Sequence, residues 1–520
     1  MRYLIIIIFL CCIYSCERYS RNQSHKEIPT DSVEAGELLA KKYCQGCHSL
    51  PEPSLLDIKS WENGVLPNMG PRLGIFSHHW MEYPSMRRDI HLPPNFYPAQ
   101  PLLKPWEWQN IINFYLATAP DSLPAQNRSY PIKNDLDIFS ASEPAVTKIS
   151  PTTCFIQIDT TRSANSILTA DIFRESVMRF DINLQPIDSL HFSGPVVDID
   201  FHAGTMVATN IGNLNPNNAK LGKLQTMLLN PEGKMALDTP WPINLLQRPV
   251  QSVKIDLNGD GKLDELVCEF GHLTGALSWF ENMGDNKYLR HVLRPIPGAI
   301  KAYAQDYNHD GLPDLFVLFA QGEEGIFLFT NRGHGQFDQK KILDFPPSYG
   351  STYFEMDDFN HDGFPDIVYT CGDNADFSVV LKPYHGVYIF LNDGHWNFKQ
   401  QYFFPINGCY KAMARDFDGD GDLDLAVISF FADYQKQPEE GFVYLENKGD
   451  FNFLPHSLRA TQKGRWLTMD VGDLNKDGKP DILLGNFSIA PSFIKPKVDF
   501  RKGPAFLYLK NISTLPHSPH

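Results

Sequence analysis

The chain has 520 residues, 42% of them hydrophobic and 21% charged, and a formal net charge of −15. That length exceeds one ordinary core and predicts two or more domains. The composition excludes a fibrous or largely disordered chain, and the acidic balance excludes a nucleic-acid partner, which needs a basic face.

Residues 1–16 begin with Arg2 and an apolar run from Leu4 to Ile13. The run is too short to span a bilayer as a stable helix and suits a secretory signal. It ends in Ile13-Tyr14-Ser15-Cys16, which resembles a bacterial lipobox. That resemblance implies an acylated Cys16 and a mature protein held by lipid in the bacterial cell envelope, on the periplasmic or surface face of the outer membrane. A plain cleaved signal is the alternative. Residues 17–30 are polar without an apolar period and are read as a flexible tether.

The next segment, residues 31–122, is expected to be a small all-α domain. Asp31-Ser32-Val33-Glu34 has the spacing of a capping box, and the helix it opens leads to Cys44-Gln45-Gly46-Cys47-His48. Two cysteines three apart can each form a thioether to a haem vinyl group, and the adjacent His48 can reach the iron. Zinc would need a second ligand pair at suitable spacing. The region resembles class I cytochromes c, including Gly36 in the first helix and a closing helix "PWEWQNIINFYLATAP". The resemblance implies one covalent haem c with His48 as proximal ligand. It also implies a crossing of the two helices at Gly36 beside Phe114 or Tyr115. For the distal ligand the choice is Met69, with Met86 as the alternative; Met81, His78 and His79 are further candidates. Arg72 is a candidate partner for a haem propionate.

Residues 123–144 read as a linker. From there to residue 513 an all-β region is expected, with 514–520 as a tail. Its mark is a nine-residue loop repeated five times, starting at Asp256, Asp306, Asp358, Asp416 and Asp473. A period of about 50–60 residues signals stacked or radial repeats. Oxygen-bearing side chains recur at positions 1, 3, 5 and 9: Asp256, Asn258, Asp260 and Asp264; Asp306, Asn308, Asp310 and Asp314; Asp358, Asn360, Asp362 and Asp366; Asp416, Asp418, Asp420 and Asp424; Asp473, Asn475, Asp477 and Asp481. The backbone carbonyl at position 7 (Lys262, Leu312, Phe364, Asp422, Lys479) can add another oxygen. Such a set suits a hard cation, Ca2+, with one ion per loop. Position 12, where an EF-hand needs Glu, holds Val267, Val317, Tyr369, Val427 or Leu484. Each loop runs into a short apolar strand, and an Asn ends the following strand (Asn282, Asn331, Asn392, Asn447, Asn511). Four strands per unit is the content of a propeller blade. The repeats resemble FG-GAP/VCBS repeats of integrin-α-like propellers. That implies seven blades over residues 145–513, the first two lacking the loop, with "TCFIQID" as the strand that closes the ring.

Cys154, Cys268, Cys371 and Cys409 are read as buried small hydrophobes, with disulfides open in an oxidising compartment. The sequence shows no nucleophile elbow, no dinucleotide-binding glycine pattern and no paired catalytic carboxylates outside the loops. The functional expectation is therefore a membrane-anchored cytochrome for electron transfer whose propeller docks a redox protein or an extracellular ligand. The alternatives are an adhesion propeller with an accessory haem and a haem-linked propeller dehydrogenase. The insertions "CGDNADFSVVLKPYHG" and "FFADYQKQPEEG" are candidate binding surfaces.

Overall fold

The computed structural model describes residues 29–145, 150–202, 204–375 and 377–514. The leader, Cys16, nearly all of the tether and the C-terminal tail beyond residue 514 lie outside the described residues. No helix among the described residues is long and apolar enough to cross a membrane. The chain divides into two compact units. One runs to Arg88 and resumes over Pro94–Leu123; the other takes Asp89–Pro93 and everything from Pro124 onward.

The N-terminal unit is built on two helices, α1 (Thr30–Tyr43) and α2 (Pro105–Thr118). The expected capping box does not form. α1 starts two residues earlier, after Pro29, and the Ser32 hydroxyl donates to the Pro29 carbonyl at 2.7 Å. α2 begins on Pro105, where a missing N–H costs nothing, and the Glu107 carboxylate accepts from the Lys104 N–H at 2.7 Å. The helices cross at Gly36, as expected, and the aromatic residue there is Phe114. A Cβ on Gly36 would lie 1.9 Å from the Asn110 carbonyl oxygen and 2.8 Å from the Phe114 Cβ. Between the helices, short helical turns run from Pro53 to Leu73, followed by a two-residue hairpin, Ser77–His78 against Met81–Glu82. The unit is therefore helical with one small β element. Trp61 and Trp108 are buried in it, whereas Trp80 and Trp106 are exposed.

The second unit is a ring of seven antiparallel sheets, which we number as blades 1 to 7 in chain order. Blades 1 to 6 cover Thr153–His191, Val196–Leu246, Pro249–Arg294, Ala299–Asp344, Ser351–Pro405 and Cys409–His456. Blade 7 takes three strands from Trp466–Asn511 and its fourth from Phe139–Ser142, which pairs antiparallel with Phe506–Asn511. This corrects the expectation for closure. "TCFIQID" (Thr153–Asp159) is the inner strand of blade 1. The closing strand comes from the stretch expected as a linker. That stretch is strapped down: Arg128 pairs with the buried Glu440 and donates to the Pro405 carbonyl, and Gln126 donates to the His385 carbonyl. Without this closure the fourth position of blade 7 would leave a row of backbone groups unpaired.

The core lies between neighbouring sheets, because each blade's apolar faces pack against those of the next. Phe139 of the closing strand, for example, shares a buried cluster with Phe417, Tyr444 and Trp466. Cys154, Cys268, Cys371 and Cys409 are free and buried in such clusters, and burial pushes each thiol up from its ordinary range.

The inner strands converge on the ring axis, and each leaves one edge without a ladder partner. Side chains of the preceding blade bond to that edge all the way around. Cys154 donates to the Val196 carbonyl at 3.2 Å, and Asp198 accepts from the Ser252 N–H at 3.2 Å. Gln251 accepts from the Ala302 N–H at 2.7 Å, and Tyr303 donates to the Phe354 carbonyl at 3.3 Å. Glu355 accepts from the Ala414 N–H at 2.9 Å, and Lys411 donates to the Met469 carbonyl at 2.8 Å. Asp470 accepts from the Ile158 N–H at 2.7 Å and returns the circuit to blade 1.

Replacing Phe139 with Ala is expected to destabilise the full chain by about 3–5 kcal/mol, read as a lower urea midpoint. A second expectation concerns pH. Burial raises the Asp198 carboxyl to about 6, against the favourable pull of Lys301. The folded state then holds that proton more tightly than the unfolded chain. Between about pH 4 and 6 wild type should lose stability relative to Asp198→Asn as pH rises, and the difference should be flat above pH 7. Paired urea titrations across pH 4–8 measure it; a difference that grows in wild type's favour with pH would contradict the assignment.

Candidate metal loops and cofactor segment

The five acidic loops occupy the same place in blades 3 to 7, between the inner strand and the second strand. Each folds the same way. The position-1 carboxylate accepts from the position-6 glycine N–H: Asp256 from Gly261 at 2.8 Å, Asp306 from Gly311 at 2.9 Å, Asp358 from Gly363 at 2.8 Å, Asp416 from Gly421 at 3.0 Å and Asp473 from Gly478 at 2.8 Å. The position-3 side chain accepts from the N–H of position 5 in every loop. The position-5 carboxylate accepts from the N–H of position 7, as in Asp310 with Leu312 at 2.9 Å. Side-chain oxygens thus wind around the inside of a turn that needs left-handed backbone twice. Position 6 is always Gly. Position 4 also has positive φ: His309 at 60°, His361 at 58° and Lys476 at 62°, with Gly259 and Gly419 in the other two loops. The histidines occupy a strained backbone position, a role the sequence reading missed.

In blade 6, where positions 1, 3 and 5 are all Asp, one carboxylate oxygen each of Asp416, Asp418 and Asp420 lie within 4.8 Å of one another. Burial and the neighbouring Asp420 raise the Asp418 carboxyl to about 6. Carboxylates gathered this closely repel one another, and hard oxygen donors without thiolate or imidazole fit Ca2+ or Mg2+ better than a transition metal.

Position 9 has a different place. Asp264, Asp314, Asp366, Asp424 and Asp481 are buried. One oxygen of each accepts, at 2.8 Å, the N–H of the Asn that ends the third strand: Asn282, Asn331, Asn392, Asn447 and Asn511. In four of them the other oxygen accepts from the position-2 N–H: Leu257, Phe359, Phe417 and Leu474. Each Asn in turn donates from its amide to the position-8 carbonyl. Asn331 and Asn511 reach further, to the Leu257 and Phe417 carbonyls of the preceding blades. Position 9 and the strand-ending Asn therefore form one clamp that fixes the acidic loop to its sheet. A carboxylate has about four lone-pair sites, so two backbone bonds leave capacity for a cation. Burial raises Asp366 to about 6 and Asp424 to about 8.

Blades 1 and 2 lack the acidic loop, as expected. In blade 1 the corresponding turn carries its own cation: the Arg162 Nε donates to Asp159 at 3.0 Å.

In the N-terminal unit, Cys44 caps α1 and Cys47 and His48 follow in the turn beyond it. Both thiols are free. Burial and the neighbouring Cys47 push the Cys44 thiol up to about 11. The His48 Nδ1 lies 2.8 Å from the Ser49 carbonyl oxygen. That contact makes Nδ1 the protonated nitrogen and directs the lone pair to Nε2. Tyr115 and Trp61, 4.3 Å apart between centroids, hold the chain after His48 by donating to the Pro51 and Pro53 carbonyls. This donor set fits covalent haem.

Among the distal candidates, His78 and His79 both direct Nε2 to the Gln109 carbonyl oxygen, at 2.7 and 3.0 Å, and Met81 is exposed. Met69 ends a helical turn (Leu66–Met69) and is partly exposed, and the Met86 N–H donates to the Tyr97 hydroxyl at 3.1 Å. Arg72 stacks on the Phe96 ring at 4.7 Å. It also lies within electrostatic reach of the Cys47 sulfur.

The fold and its loops define the class: a closed seven-bladed β-propeller, integrin-α-like, with acidic turns on five blades. FG-GAP repeats are matched within blades 3 to 7. The family described as FG-GAP-like repeat matches residues 256–317, 306–369, 374–427 and 416–484. The chain is also similar to integrin alpha-PS5 of Drosophila melanogaster, with 35% identity over 106 residues covering 18% of this chain and 9% of that protein. The chain therefore spans a small part of the length of that relative. Two solved structures are similar to parts of this chain at 9% identity. One is a chain of an S. cerevisiae complex of dbp5, nup159 and gle1 with ip6 and adp, at a TM-score of 0.40 over 74% of this chain and 97% of that one. The other is an ancestral GH74 enzyme, at a TM-score of 0.45 over 73% and 52%.

Replacing Asn331 with Ala removes the amide half of the blade 4 clamp, its bonds to the Pro313 carbonyl and to the Leu257 carbonyl of blade 3, while the backbone bond to Asp314 stays. The expected cost is at least about 2 kcal/mol, seen as a lower denaturant midpoint with unchanged slope.

Proposed function

We propose that this chain is an exported, lipid-anchored c-type cytochrome used in electron transfer, with a calcium-stabilised propeller that docks a redox protein or an extracellular ligand. The observation that carries this reading is the segment after α1: two free thiols three residues apart, then an imidazole whose Nδ1 is occupied by the Ser49 carbonyl. Covalent haem would supply a one-electron carrier at this place. Cys44 and Cys47 would tether it, and His48 would ligate through Nε2, its ring orientation and basicity set by the Ser49 bond. Met69 is the proposed distal ligand, with Met86 as the alternative. Cys16 is the proposed acylation site.

In the propeller, positions 1, 3, 5 and 9 of each acidic loop would hold one Ca2+, joined by the position-7 carbonyl. The effect would be mainly structural, since neutralising the clustered carboxylates removes a repulsion that opposes folding.

Two measurements test the two parts. Wild type made with c-type maturation should give a pyridine haemochrome spectrum and a reversible one-electron wave; a Cys44→Ser/Cys47→Ser double variant should give neither. Wild type without covalent haem would sink the cytochrome reading. For calcium, equilibrium dialysis should show one fewer ion bound by Asp420→Asn than by wild type, and EDTA should lower the wild-type unfolding temperature. An unfolding temperature indifferent to EDTA would remove the calcium assignment.

A further inference from the structure

All five acidic loops sit at one end of the propeller, between first and second strands. The connections that enter the inner strands sit at the opposite end. There the residue just before the inner strand is glycine in blades 4, 5 and 6 (Gly298, Gly350, Gly408), each with positive φ. In blades 3 and 7 it is arginine, Arg248 and Arg465. Arg248 itself has φ 44°, a left-handed conformation that costs a side chain of this size.

Both arginines are buried, at 7% and 1% exposure. Neither forms an ion pair among the described residues. Arg248 donates to the Gly271 and Leu214 carbonyls, and Arg465 donates to the Phe430 and Ile489 carbonyls at 2.8 and 2.6 Å. Each keeps one buried N–H without a partner, Nε in Arg248 and Nη2 in Arg465. Carbonyls satisfy part of the donor set but do not neutralise the charge, and an unneutralised buried guanidinium is costly. Arg465 lies flat against the Phe430 ring, 3.4 Å from its centroid, and Arg248 lies 5.6 Å from that of Phe270.

Tyr410, the second residue of blade 6's inner strand, brings the two together. It is partly exposed, so solvent reaches it. Its ring lies 5.6 Å from that of Phe430, the ring on which Arg465 stacks, and Arg465 and Arg248 both act electrostatically on its hydroxyl, against the rise that burial and Asp373 cause. Asp373 is the acidic group at this end that faces Tyr410. Its carboxylate accepts from the Ala375 N–H at 2.9 Å, and burial favours its neutral form.

We propose that Arg248, Arg465 and Tyr410 form an oxyanion-binding site where the propeller axis meets the face opposite the acidic loops, taking a small organic anion through a carboxylate or phosphoryl group. The guanidinia supply the charge and the two unpartnered N–H donors, Tyr410 supplies a hydroxyl, and the flanking aromatic rings suit the ligand's apolar part. The site is independent of the haem and calcium assignments.

The test uses the full chain in chloride-free buffer at constant ionic strength, titrated with inorganic phosphate in one arm and sodium succinate in the other. Unfolding temperature and isothermal calorimetry are the readouts. Saturable one-site binding of either probe is expected; phosphate alone assigns a phosphoryl source, succinate alone a carboxylate source. Arg465→Lys and Arg248→Lys keep the charge but lose the planar fork, and each should weaken that binding about tenfold or more. Tyr410→Phe, which preserves packing, should weaken it at least about threefold and keeps the proposal testable if a lysine variant fails to fold. Absence of saturable binding in both arms, or equal binding in wild type and all folded variants, overturns the site.

Discussion

The structure depends on how the backbone at the centre of the ring is satisfied. Seven sheets meet along their inner strands, and sheets meeting edge to axis cannot share a ladder. Polar backbone groups left bare in that crowded space would each oppose folding. The solution is a one-way circuit in which a side chain of every blade bonds to the inner strand of the next. The bonding groups are chemically mixed: thiol, carboxylate, amide, phenol and ammonium. What repeats is their position, so the circuit survives divergence of the residues that make it. Because each blade depends on its neighbour, the ring is expected to stand or fall as a unit.

The same logic operates at the periphery. An acidic loop is a poor structural element by itself, since it gathers like charges on a turn with two left-handed residues. Here it is mounted on a buried clamp of position-9 aspartate and strand-ending asparagine. The clamp sets where the loop sits and the outer carboxylates determine what it can bind. Blade 1 illustrates the alternative, with Arg162 supplying a covalently attached cation in the corresponding turn.

Much of this was legible in the sequence. The five loop patterns and the asparagine after each third strand marked the blade unit in blades 3 to 7, because both marks are local and the loops recur every 50 to 58 residues, and the full count of seven followed from the resemblance. Gly36 was legible for a similar reason: a helix crossing that close tolerates no side chain. The closing strand was not. "FSAS" is short and weakly apolar, and only its pairing with Phe506–Asn511 makes it a strand. "TCFIQID" looked like a better candidate because it is longer and more apolar than "FSAS". The role of position 9 was half legible. Its acidity suggested a ligand, but its burial and its two backbone bonds are tertiary facts. Arg248 and Arg465 carried no signal, since lone arginines before a strand are ordinary in sequence and only the ring brings them to one end.

The closing strand also bears on how the molecule is made. Phe139–Ser142 leaves the ribosome, and any export channel, long before its partner Phe506–Asn511 exists. Until the last blade arrives, the strand has no sheet to join, and the growing chain can hold only an open arc of blades. Such high contact order slows closure and leaves edges able to pair with the wrong chain. The order of synthesis therefore makes the ring a check on completeness. A chain cut short anywhere before its final strand cannot close, and the stretch leading out of the N-terminal unit is left without its place on blade 7.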